Sequence, residues 1–361
     1  MKILGIETSC DETAAAVVEI NEQTRVCRML SNTVVSQIDI HKAYGGVVPE
    51  IAARSHIEAI IPVIDEALKT AKLTKKDIDA IAVTYGAGLG GSLLIGVMTA
   101  RSLSIATKKP LYAINHVEAH VYANFITETS LPGYQLPSLA PKFSLLALIV
   151  SGGHTQLVLF KDHFDYQILG KTQDDAIGEA FDKVAKMTGL PYPGGPSIAE
   201  KAKSGNANKF NFPKAKVDGD YNFSFSGLKT AVLRTAQGAV GHNHTLASTE
   251  LPGLLSGGQK ADIAASFQRV AMETVVDKTV AAFEEYSPAS VVIAGGVASS
   301  EELRRQLSEK LPINVEYTDR KLCTDNAAMI ATLGCFKMLL KSPEVDPYTL
   351  EIQPNLKMLA I

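Results

Sequence analysis

Short apolar runs rich in β-branched residues recur along the chain, and polar turns separate them. The first two runs, residues 2–8 and 13–20, flank the polar segment Thr-Ser-Cys-Asp-Glu and predict the two strands of a hairpin. The same pattern returns at Phe143 to Val150 and Gln156 to Phe160, on either side of Ser-Gly-Gly-His-Thr. A repeated hairpin with a polar tip predicts two related lobes.

Longer runs with helical spacing alternate with the remaining strands, which predicts a mixed α/β protein. We expect further strands near residues 26–35, 80–85, 111–114, 290–294 and 313–317. We expect helices at 49–71, from the Gly-rich loop after residue 86 to about 107, from about 116, at 300–311 and at 326–340.

The same pattern predicts the domain organisation: an N-terminal lobe at 1–130, a C-terminal lobe at 143–341 and a tail at 342–361. The Pro-containing segment 131–141 links the two lobes. Helical patterns and loops rich in Gly, Pro and Asn at about 171–286 predict an insertion in the second lobe.

Length and composition agree with a two-lobed globular protein. The chain has 361 residues, more than a single core usually supports, with 46% hydrophobic and 20% charged residues. Its start lacks the basic, apolar and small-residue series of a signal peptide, and its longest apolar runs are too short to cross a bilayer. We therefore expect a cytoplasmic protein without a membrane span.

The cysteines exclude two kinds of site. They lie far apart without CxxC spacing, which argues against a disulfide framework and against a thiolate zinc site: Cys10, Cys27, Cys323 and Cys335. We expect them to be core or loop thiols.

Charge is distributed unevenly. The net charge of −3 gives no protein-wide attraction to nucleic acid. The stretch from Lys201 to Arg234, however, holds seven Lys or Arg against two Asp, a local net charge of +5, interleaved with five aromatic residues. This pattern suits phosphate contacts and base stacking on RNA, and it is equally typical of buried aromatics beneath a solvated Lys face.

Three glycine-rich or polar loops could together hold a nucleotide. The hairpin tips Thr8 to Glu12 and Ser151 to Thr155 offer hydroxyls and backbone N–H groups that suit anions. Gly295 and Gly296 follow a buried strand and precede a helix, where backbone can approach a ligand closely. Each tip alone could be an ordinary β-turn, but the three loops together favour a phosphate-binding cleft.

His116 and His120 in the segment NHVEAH are four residues apart, so on a helix both imidazoles project from one face and can share a metal. The pair alone could also be a solvated or core feature. Asp325, just before the last helix, is a candidate third ligand, and capping of that helix is its alternative role.

The segment HVEAH superficially resembles the metalloprotease motif HExxH. In that motif the Glu directly follows the first His, about 100° around the helix, whereas Glu118 is two residues on, about 200° away. Glu118 therefore points away from a metal held by the histidines, which argues against a protease.

Carboxylates elsewhere are candidates for acid-base or binding roles. Asp11 and Glu12 form a pair in the first hairpin tip that could hold a cation, orient an amine or act as a general base. Asp182 starts or lines a helix, and the turn Tyr192 to Pro196 could bring backbone against a ribose or base. Each of these has an ordinary structural explanation when taken alone.

Eight motifs in order along the chain resemble those of the tRNA N6-adenosine threonylcarbamoyltransferase family: GIETSCDETAAAVV, HVEAH, LIVSGGHTQLVL, GEAFDKVAKMTGLPYPGGP, FSFSGLKTA, ADIAASFQ, AGGVA and CTDNAAMIA. The resemblance implies a two-lobed ASKHA fold (actin and sugar-kinase-like, with RNase H-like lobes). It also implies one divalent metal per subunit, Fe²⁺ in preference to Zn²⁺, held by His116, His120 and Asp325.

The implied activity is transfer of a threonylcarbamoyl group from threonylcarbamoyl-AMP to N6 of adenosine 37 in tRNAs that read codons beginning with adenine. Asp11 or Glu12 would accept the amine proton. The implied donor cleft is lined by Ile149, Val150, Ser151, Gly152, Gly153, Asp182, Gly195, Gly295, Gly296 and Ser300. A small-molecule or sugar kinase of the same fold is the alternative, but a kinase has no need of a two-histidine metal site.

The resemblance also implies partners: tRNA, a separate synthase that supplies threonylcarbamoyl-AMP, an inactive paralogue subunit and a small P-loop ATPase. The chain departs from the family pattern at two positions, with Ser300 where many members carry Asn and Ala199 where many carry Asp. Residues 238–258 also form a longer segment than is usual in the family.

Overall fold

We describe the protein from a computed structural model, which describes residues 1–241, 246–313, 315 and 317–358. The chain divides into two compact units, Met1–Lys142 with Glu316–Ile361, and Phe143–Val315. Within the described ranges the strands are β1 (Lys2–Glu7), β2 (Glu12–Ile20), β3 (Cys27–Ser36), β4 (Ala80–Gly86), β5 (Leu111–Asn115), β6 (Ile126–Thr129), β7 (Leu145–Val150), β8 (Thr155–Asp162), β9 (Asp165–Lys171) and β10 (Ser290–Ala294).

The α-helices of the same ranges are α1 (Ile38–Lys42), α2 (Pro49–Thr70), α3 (Gly90–Thr107), α4 (His116–Tyr122), α5 (Ile177–Thr188), α6 (Gly194–Ala202), α7 (Ser226–Ala239), α8 (Leu251–Leu254), α9 (Gly257–Tyr286), α10 (Glu301–Lys310) and α11 (Ala327–Leu339). Among the described residues, we find no helix whose length and apolar character would let it span a bilayer.

The first unit is built on a six-stranded sheet in the order β5-β4-β1-β2-β3-β6. Because side chains alternate across a strand, β1 serves both faces of this sheet. Leu4 and Ile6 join the buried cluster beneath α2 and α3. Gly5 lies against α11, where an added Cβ would come within 2.7 Å of the backbone nitrogen of Ala331. The sheet is therefore covered on both faces, and α11 reaches it closely because residue 5 has no side chain.

The second unit is built on a four-stranded sheet in the order β10-β7-β8-β9. Every residue of β7 is buried, and β7 pairs parallel to β10 and antiparallel to β8. The helices α5 to α9 lie between β9 and β10, so the predicted insertion is helical. The longest of them, α9, begins with a capping box in which Ser256 and Gln259 satisfy each other's backbone N–H groups.

Two details differ from the sequence prediction. The last helix, predicted within the second lobe up to residue 341, lies in the first unit and packs on β1, β2 and β4, because its small residues fit the second face of that sheet. The strand predicted at 313–317 falls partly outside the described residues, and residues 313, 315 and 317 form no strand.

Candidate functional site

Two buried histidines stand one turn apart on the short helix α4. The helix begins at His116 because the side chain of Asn115 accepts hydrogen bonds from the backbone N–H groups of Val117 (2.9 Å) and Glu118 (3.3 Å). The centroids of the His116 and His120 rings are 4.7 Å apart, at an interplanar angle of 77°. The predicted spacing therefore does bring both imidazoles to one face of a helix.

Asp325 brings a carboxylate to the same place. Its Oδ1 lies 3.5 Å from Nε2 of His116 and 3.3 Å from Nε2 of His120, and the three candidate ligand atoms lie within 4.8 Å of one another. The alternative role of Asp325, capping α11, is taken by Asn326, whose side chain accepts from the backbone N–H of Met329 at 3.1 Å. Asp325 therefore faces the histidines rather than the helix end.

The donor set fits a divalent metal ion. Two imidazoles and a carboxylate are the ligands that zinc or ferrous iron uses at catalytic centres with open positions. Neither ring nitrogen of the buried His120 makes a hydrogen bond to the described residues, although its Nε2 is close to Asp325. Buried polar atoms are nearly always satisfied, so an ion at Nε2 would supply the missing partner.

Glu7 supports this centre from behind, and the sequence reasoning missed it. Its carboxylate is completely buried, with Oε2 3.2 Å from Nδ1 of His116 and accepting from the Thr84 hydroxyl at 2.5 Å. A second hydroxyl, that of Ser9, lies 3.2 Å from the same ring nitrogen. A carboxylate that holds the far nitrogen of a metal-binding histidine orients its ring.

His116 and its neighbouring carboxylates shift one another's pKa. Burial alone would lower the pKa of His116, but the carboxylates of Asp325 and Glu7 outweigh it and raise that pKa to about 9. Burial alone would raise the pKa of Glu7, and attraction to His116 outweighs it and leaves that pKa lowered. Without a cation the cluster therefore holds a proton that a metal ion would displace.

Glu118 does not belong to the cluster. It is buried, its Oε1 has no hydrogen-bond partner among the described residues, and burial raises the pKa of its carboxyl to about 7. The three grouped ligands are His116, His120 and Asp325, without Glu118. This placement agrees with the helical geometry that argues against a metalloprotease.

Asp11 and Glu12 lie at the tip of the first hairpin, in the same unit as the histidines. Asp11 is 8% exposed, and the Ser36 hydroxyl donates to Oε1 of Glu12 at 3.2 Å. Burial, with the negative charges of Asp325 and Asp11, raises the pKa of Glu12 to about 9. A carboxyl with a pKa this high is protonated at neutral pH, so Glu12 can act as a general base only where a nearby cation restores its ionised form.

The buried His56 braces this tip from α2. Its Nε2 lies 3.0 Å from the carbonyl oxygen of Cys10, and its Nδ1 lies 2.7 Å from the hydroxyl of Thr13. Burial lowers the pKa of His56, so the ring is neutral, with its proton on Nε2 facing the carbonyl. Residues on both sides of Asp11 and Glu12 are thereby fixed.

The remaining predicted site residues lie in the second unit. Because β10 pairs parallel to β7, Ala294 lies beside Ile149 and the carboxyl ends of both strands meet. Gly295 has a φ of +91° and lies against Val150, where a Cβ would collide with the carbonyl group. Only glycine fits this junction, and the loop after it continues as a short 3₁₀ helix, Gly296–Ser299.

The tip of the second hairpin presents open backbone. Ser151 and His154 are linked by two hydrogen bonds, from Ser151 N to His154 O (2.8 Å) and from His154 N to Ser151 Oγ (3.1 Å). Between them, Gly152 and Gly153 are exposed, and a Cβ on either would meet nothing within 4 Å. The start of α5 lies beside this tip, since Gly178 donates to the carbonyl of Ser151 at 3.2 Å.

Three further predicted residues contact or occupy the N-terminal ends of α6 and α10. The Asp182 carboxylate accepts from the N–H of Gly194, the first residue of α6, at 2.6 Å, and burial raises its pKa. Gly195 follows, with open space at its Cα. Ser300 caps α10 by accepting from the N–H of Leu303 at 3.3 Å, a role that Asn performs equally well. Ala199 lies within α6.

The basic stretch 201–234 is not a stacking platform. Four of its five aromatic side chains are buried, namely Phe212, Tyr221, Phe223 and Phe225. Lys214 pairs with Glu273 and Asp277, and Lys229 pairs with Asp175. The alternative of buried aromatics beneath charged residues is therefore correct for most of the stretch.

Comparisons with known proteins identify the family of this chain. The model of the TsaD family, described as tRNA N6-adenosine threonylcarbamoyltransferase, matches residues 28–332. A relative with that name from Caldicellulosiruptor saccharolyticus is 49% identical over 342 residues, covering 94% of each chain. Another from Dehalococcoides mccartyi is 44% identical over 361 residues, covering 99% of each chain.

Among solved structures, HypF from T. kodakarensis resembles the chain with a TM-score of 0.57 and 13% identity, covering 94% of this chain and 47% of that chain. This likeness bears on the fold alone. Fold and site together define an α/β protein of the ASKHA class with a helical insertion in its second lobe, as predicted. The chain belongs to the tRNA N6-adenosine threonylcarbamoyltransferase family.

Proposed function

We propose that this protein transfers the threonylcarbamoyl group from threonylcarbamoyl-AMP to N6 of adenosine 37 in tRNAs that read codons beginning with adenine. The observation that carries the proposal is the 44–49% identity, over nearly the whole chain, to relatives named tRNA N6-adenosine threonylcarbamoyltransferase. The alternative of a sugar kinase is not favoured, since the buried His-His-Asp cluster has no role in that chemistry.

The chain's own residues have three tasks in this acyl transfer. An exocyclic amine is a poor nucleophile, so the protein must position it against the donor carbonyl. Asp11 or Glu12 accepts the amine proton, and Glu12 can do so only in its ionised form, which a cation beside Asp325 would favour because the negative charges of Asp325 and Asp11 contribute to its raised pKa. The exposed amides of Gly152 and Gly153 are donors for the oxyanion and for the departing phosphate of AMP.

The metal has a supporting role in the proposal. His116, His120 and Asp325 would hold one divalent ion, Fe²⁺ in preference to Zn²⁺, which when bound polarises carbonyl or phosphate oxygens. Elemental analysis tests the site: His116→Ala with His120→Ala should abolish stoichiometric metal, whereas His163→Ala in the second unit should retain it. Wild-type metal content in the double variant would place the metal elsewhere.

The donor binds, in this proposal, against the residues gathered at the ends of β7 and β10 and at the starts of α5 and α6 in the second unit. Close backbone approach at Gly295 and open space at Gly195 and Gly296 support a nucleotide there. Val150 and Ser151 lie against Gly295, and Asp182 accepts from the N–H of Gly194, the residue before Gly195.

The proposal includes the partners and the cellular location of the family. A separate synthase supplies threonylcarbamoyl-AMP, and an inactive paralogue subunit and a small P-loop ATPase assemble with this chain in the cytoplasm, where tRNA is modified. Nucleoside mass spectrometry of tRNA after reconstitution with these proteins is the test. We expect threonylcarbamoyladenosine in the complete reaction and none without this chain; its absence from the complete wild-type reaction would reject the assignment.

Contact with tRNA phosphates remains the proposed role of the basic stretch, without base stacking. Lys209 and Lys216 are exposed and form no ion pair with the described residues, unlike Lys214. The double charge reversal Lys209→Glu, Lys216→Glu should weaken tRNA binding and reduce its salt slope by roughly two. Reversal of Lys72 and Lys108 in the first unit is the matched control. Equal salt slopes in both double variants would exclude the stretch.

A further inference from the structure

The last described part of the chain, residues 345–358, lies along the first unit and is called the C-terminal strap here. Arg101 of α3 holds it by donating to the carbonyl groups of Pro347 (2.5 Å), Tyr348 (2.6 Å) and Leu350 (3.3 Å). Leu350 and Met358 are buried, at 9% and 3% exposure. The strap lies beyond residue 332, where the match to the family model ends.

The strap supports the loop that backs the first hairpin tip. The N–H of Gln353 donates to the carbonyl of Tyr85 at 2.7 Å, and the N–H of Gly88 donates to the carbonyl of Pro354 at 3.1 Å. Gly88 in turn lies against Ser9, since a Cβ at Gly88 would be 2.6 Å from the Ser9 carbonyl oxygen. The next residue, Leu89, donates to that oxygen at 2.7 Å.

Ser9 carries this support to the metal centre, because its hydroxyl lies 3.2 Å from Nδ1 of His116. The strap is therefore connected to His116 through Gly88 and Ser9. A position fixed in this way cannot shift without moving the group that orients the imidazole.

A second and more direct connection runs through Asn115. Its side-chain oxygen caps α4, and its Nδ2 donates to the carbonyl of Lys357 in the strap at 3.2 Å. Since α4 has only seven residues, its own hydrogen bonds cannot fix its direction, and its cap and packing must do so. The strap holds the residue that starts the helix bearing His116 and His120.

We infer that the C-terminal strap is a positioning element of the metal centre, acting through Asn115 and through the Gly88–Ser9 contact. The inference rests on the proposed metal site at His116, His120 and Asp325. It assigns a binding role to a segment outside the matched family domain.

The test uses metal affinity, measured without tRNA or donor. Deletion of residues 355–361 removes the Lys357 contact but keeps the buried Leu350, and deletion of 359–361 is the matched control. Asn115→Ser keeps a good helix cap but is too short to reach Lys357. Affinity for Co²⁺ by chelator competition should fall about tenfold in the longer deletion and in Asn115→Ser, as expected for support of a ligand. The d–d absorption of bound Co²⁺ should change in both.

The combined loss should be smaller than the sum of the two, because the hydrogen bond between Asn115 and Lys357 is absent from both variants. Wild-type affinity and an unchanged Co²⁺ spectrum in Asn115→Ser would overturn the inference, as would fully additive losses in the combined variant. Should the shortened chain not fold, Asn115→Ser alone decides. Failure of the metal site itself is distinguishable: His116→Ala with His120→Ala would then leave Co²⁺ binding unaltered in the full-length chain.

Discussion

The two hairpin tips follow the same backbone plan and differ in what they expose. In the first, Thr8, Ser9 and Asp11 are buried, the Thr8 hydroxyl donates to the carbonyl of Ser92, the Ser9 hydroxyl lies beside the His116 ring, and no glycine is present. In the second, Gly152 and Gly153 are exposed and open, and hydrogen bonds hold only their flanks. The first tip presents side chains beside the proposed metal site, and the second presents backbone N–H groups.

The two hairpins also share a buried threonine, which shows that both follow the same backbone arrangement. Each returning strand has a buried threonine near its start whose hydroxyl contacts the helical element that supports the tip: Thr13 contacts His56 of α2, and Thr155 accepts from the N–H of Ile177 at the start of α5. The anchor is retained while the tip differs. Function in the first unit should therefore be sensitive to side-chain removal, and function in the second to added side-chain bulk.

The largest effect is expected from the side chains of the first tip. The Asp11→Ala, Glu12→Ala double variant should lower the single-turnover rate of threonylcarbamoyl transfer by roughly 10²- to 10⁴-fold, because the amine proton loses its acceptor. Adenine nucleotide affinity should not change, since the proposed nucleotide contacts lie in the other unit. Glu22→Ala, an exposed carboxylate in the next turn, is the control. A wild-type rate in the double variant removes both residues from the mechanism.

The second largest effect is expected from Glu7, which contacts His116 beside the first tip. Glu7→Gln removes the charge that holds Nδ1 of His116, so metal affinity should fall about 10- to 100-fold. Glu19→Gln, on the neighbouring strand, is the matched control. Chelator competition measures both, and equal affinity in the two variants would show that Glu7 serves stability alone.

In the second unit, nucleotide affinity should fall when a larger side chain replaces a glycine near the second tip. A Cβ added at Gly296 would meet no atom of the described residues within 4 Å, so Gly296→Val should leave the fold unchanged while obstructing the ligand. We expect nucleotide affinity to fall about tenfold, or roughly 1.4 kcal/mol, by calorimetry, with metal content unaltered. Gly238→Val, at another open glycine of the same unit, is the control. Unchanged affinity would remove Gly296 from the nucleotide site.

The smallest effect concerns the shared anchors. Thr13→Val and Thr155→Val should each lower the free energy of unfolding by about 1–3 kcal/mol, because each leaves one buried polar partner unsatisfied. Denaturant titration measures both. For the first anchor, Thr13→Val combined with His56→Leu should cost less than the sum of the single changes. Strict additivity there would mean that the hydroxyl and the ring do not interact.

Local pattern predicted much of this arrangement. The spacing of His116 and His120 on a helix, the glycine at Gly295 and both hairpins follow from periodicity and turn chemistry, and the structure has them as expected. The family resemblance is confirmed by relatives of the same name.

What local pattern could not provide depends on contacts between distant residues. Glu7 ends an apolar strand, where a carboxylate usually marks only the edge of a sheet, and nothing nearby in sequence announces its contact with His116. A buried acid at the end of an otherwise apolar run was the available signal. For the basic stretch, the sequence pattern is the same whether its aromatic residues are exposed for base stacking or buried in the core. Only the burial of those side chains in the structure decides between these two interpretations.

The return of α11 to the first sheet has a consequence for synthesis on the ribosome. The sheet strands and both histidines emerge early, but Asp325 and the helix that covers the second sheet face emerge only after residues 143–315. Until then the apolar residues beneath α11 have no cover, and the three ligands cannot meet. The proposed metal site can therefore be completed only after the second unit has been synthesised, which would make metal loading a late event in the maturation of each molecule.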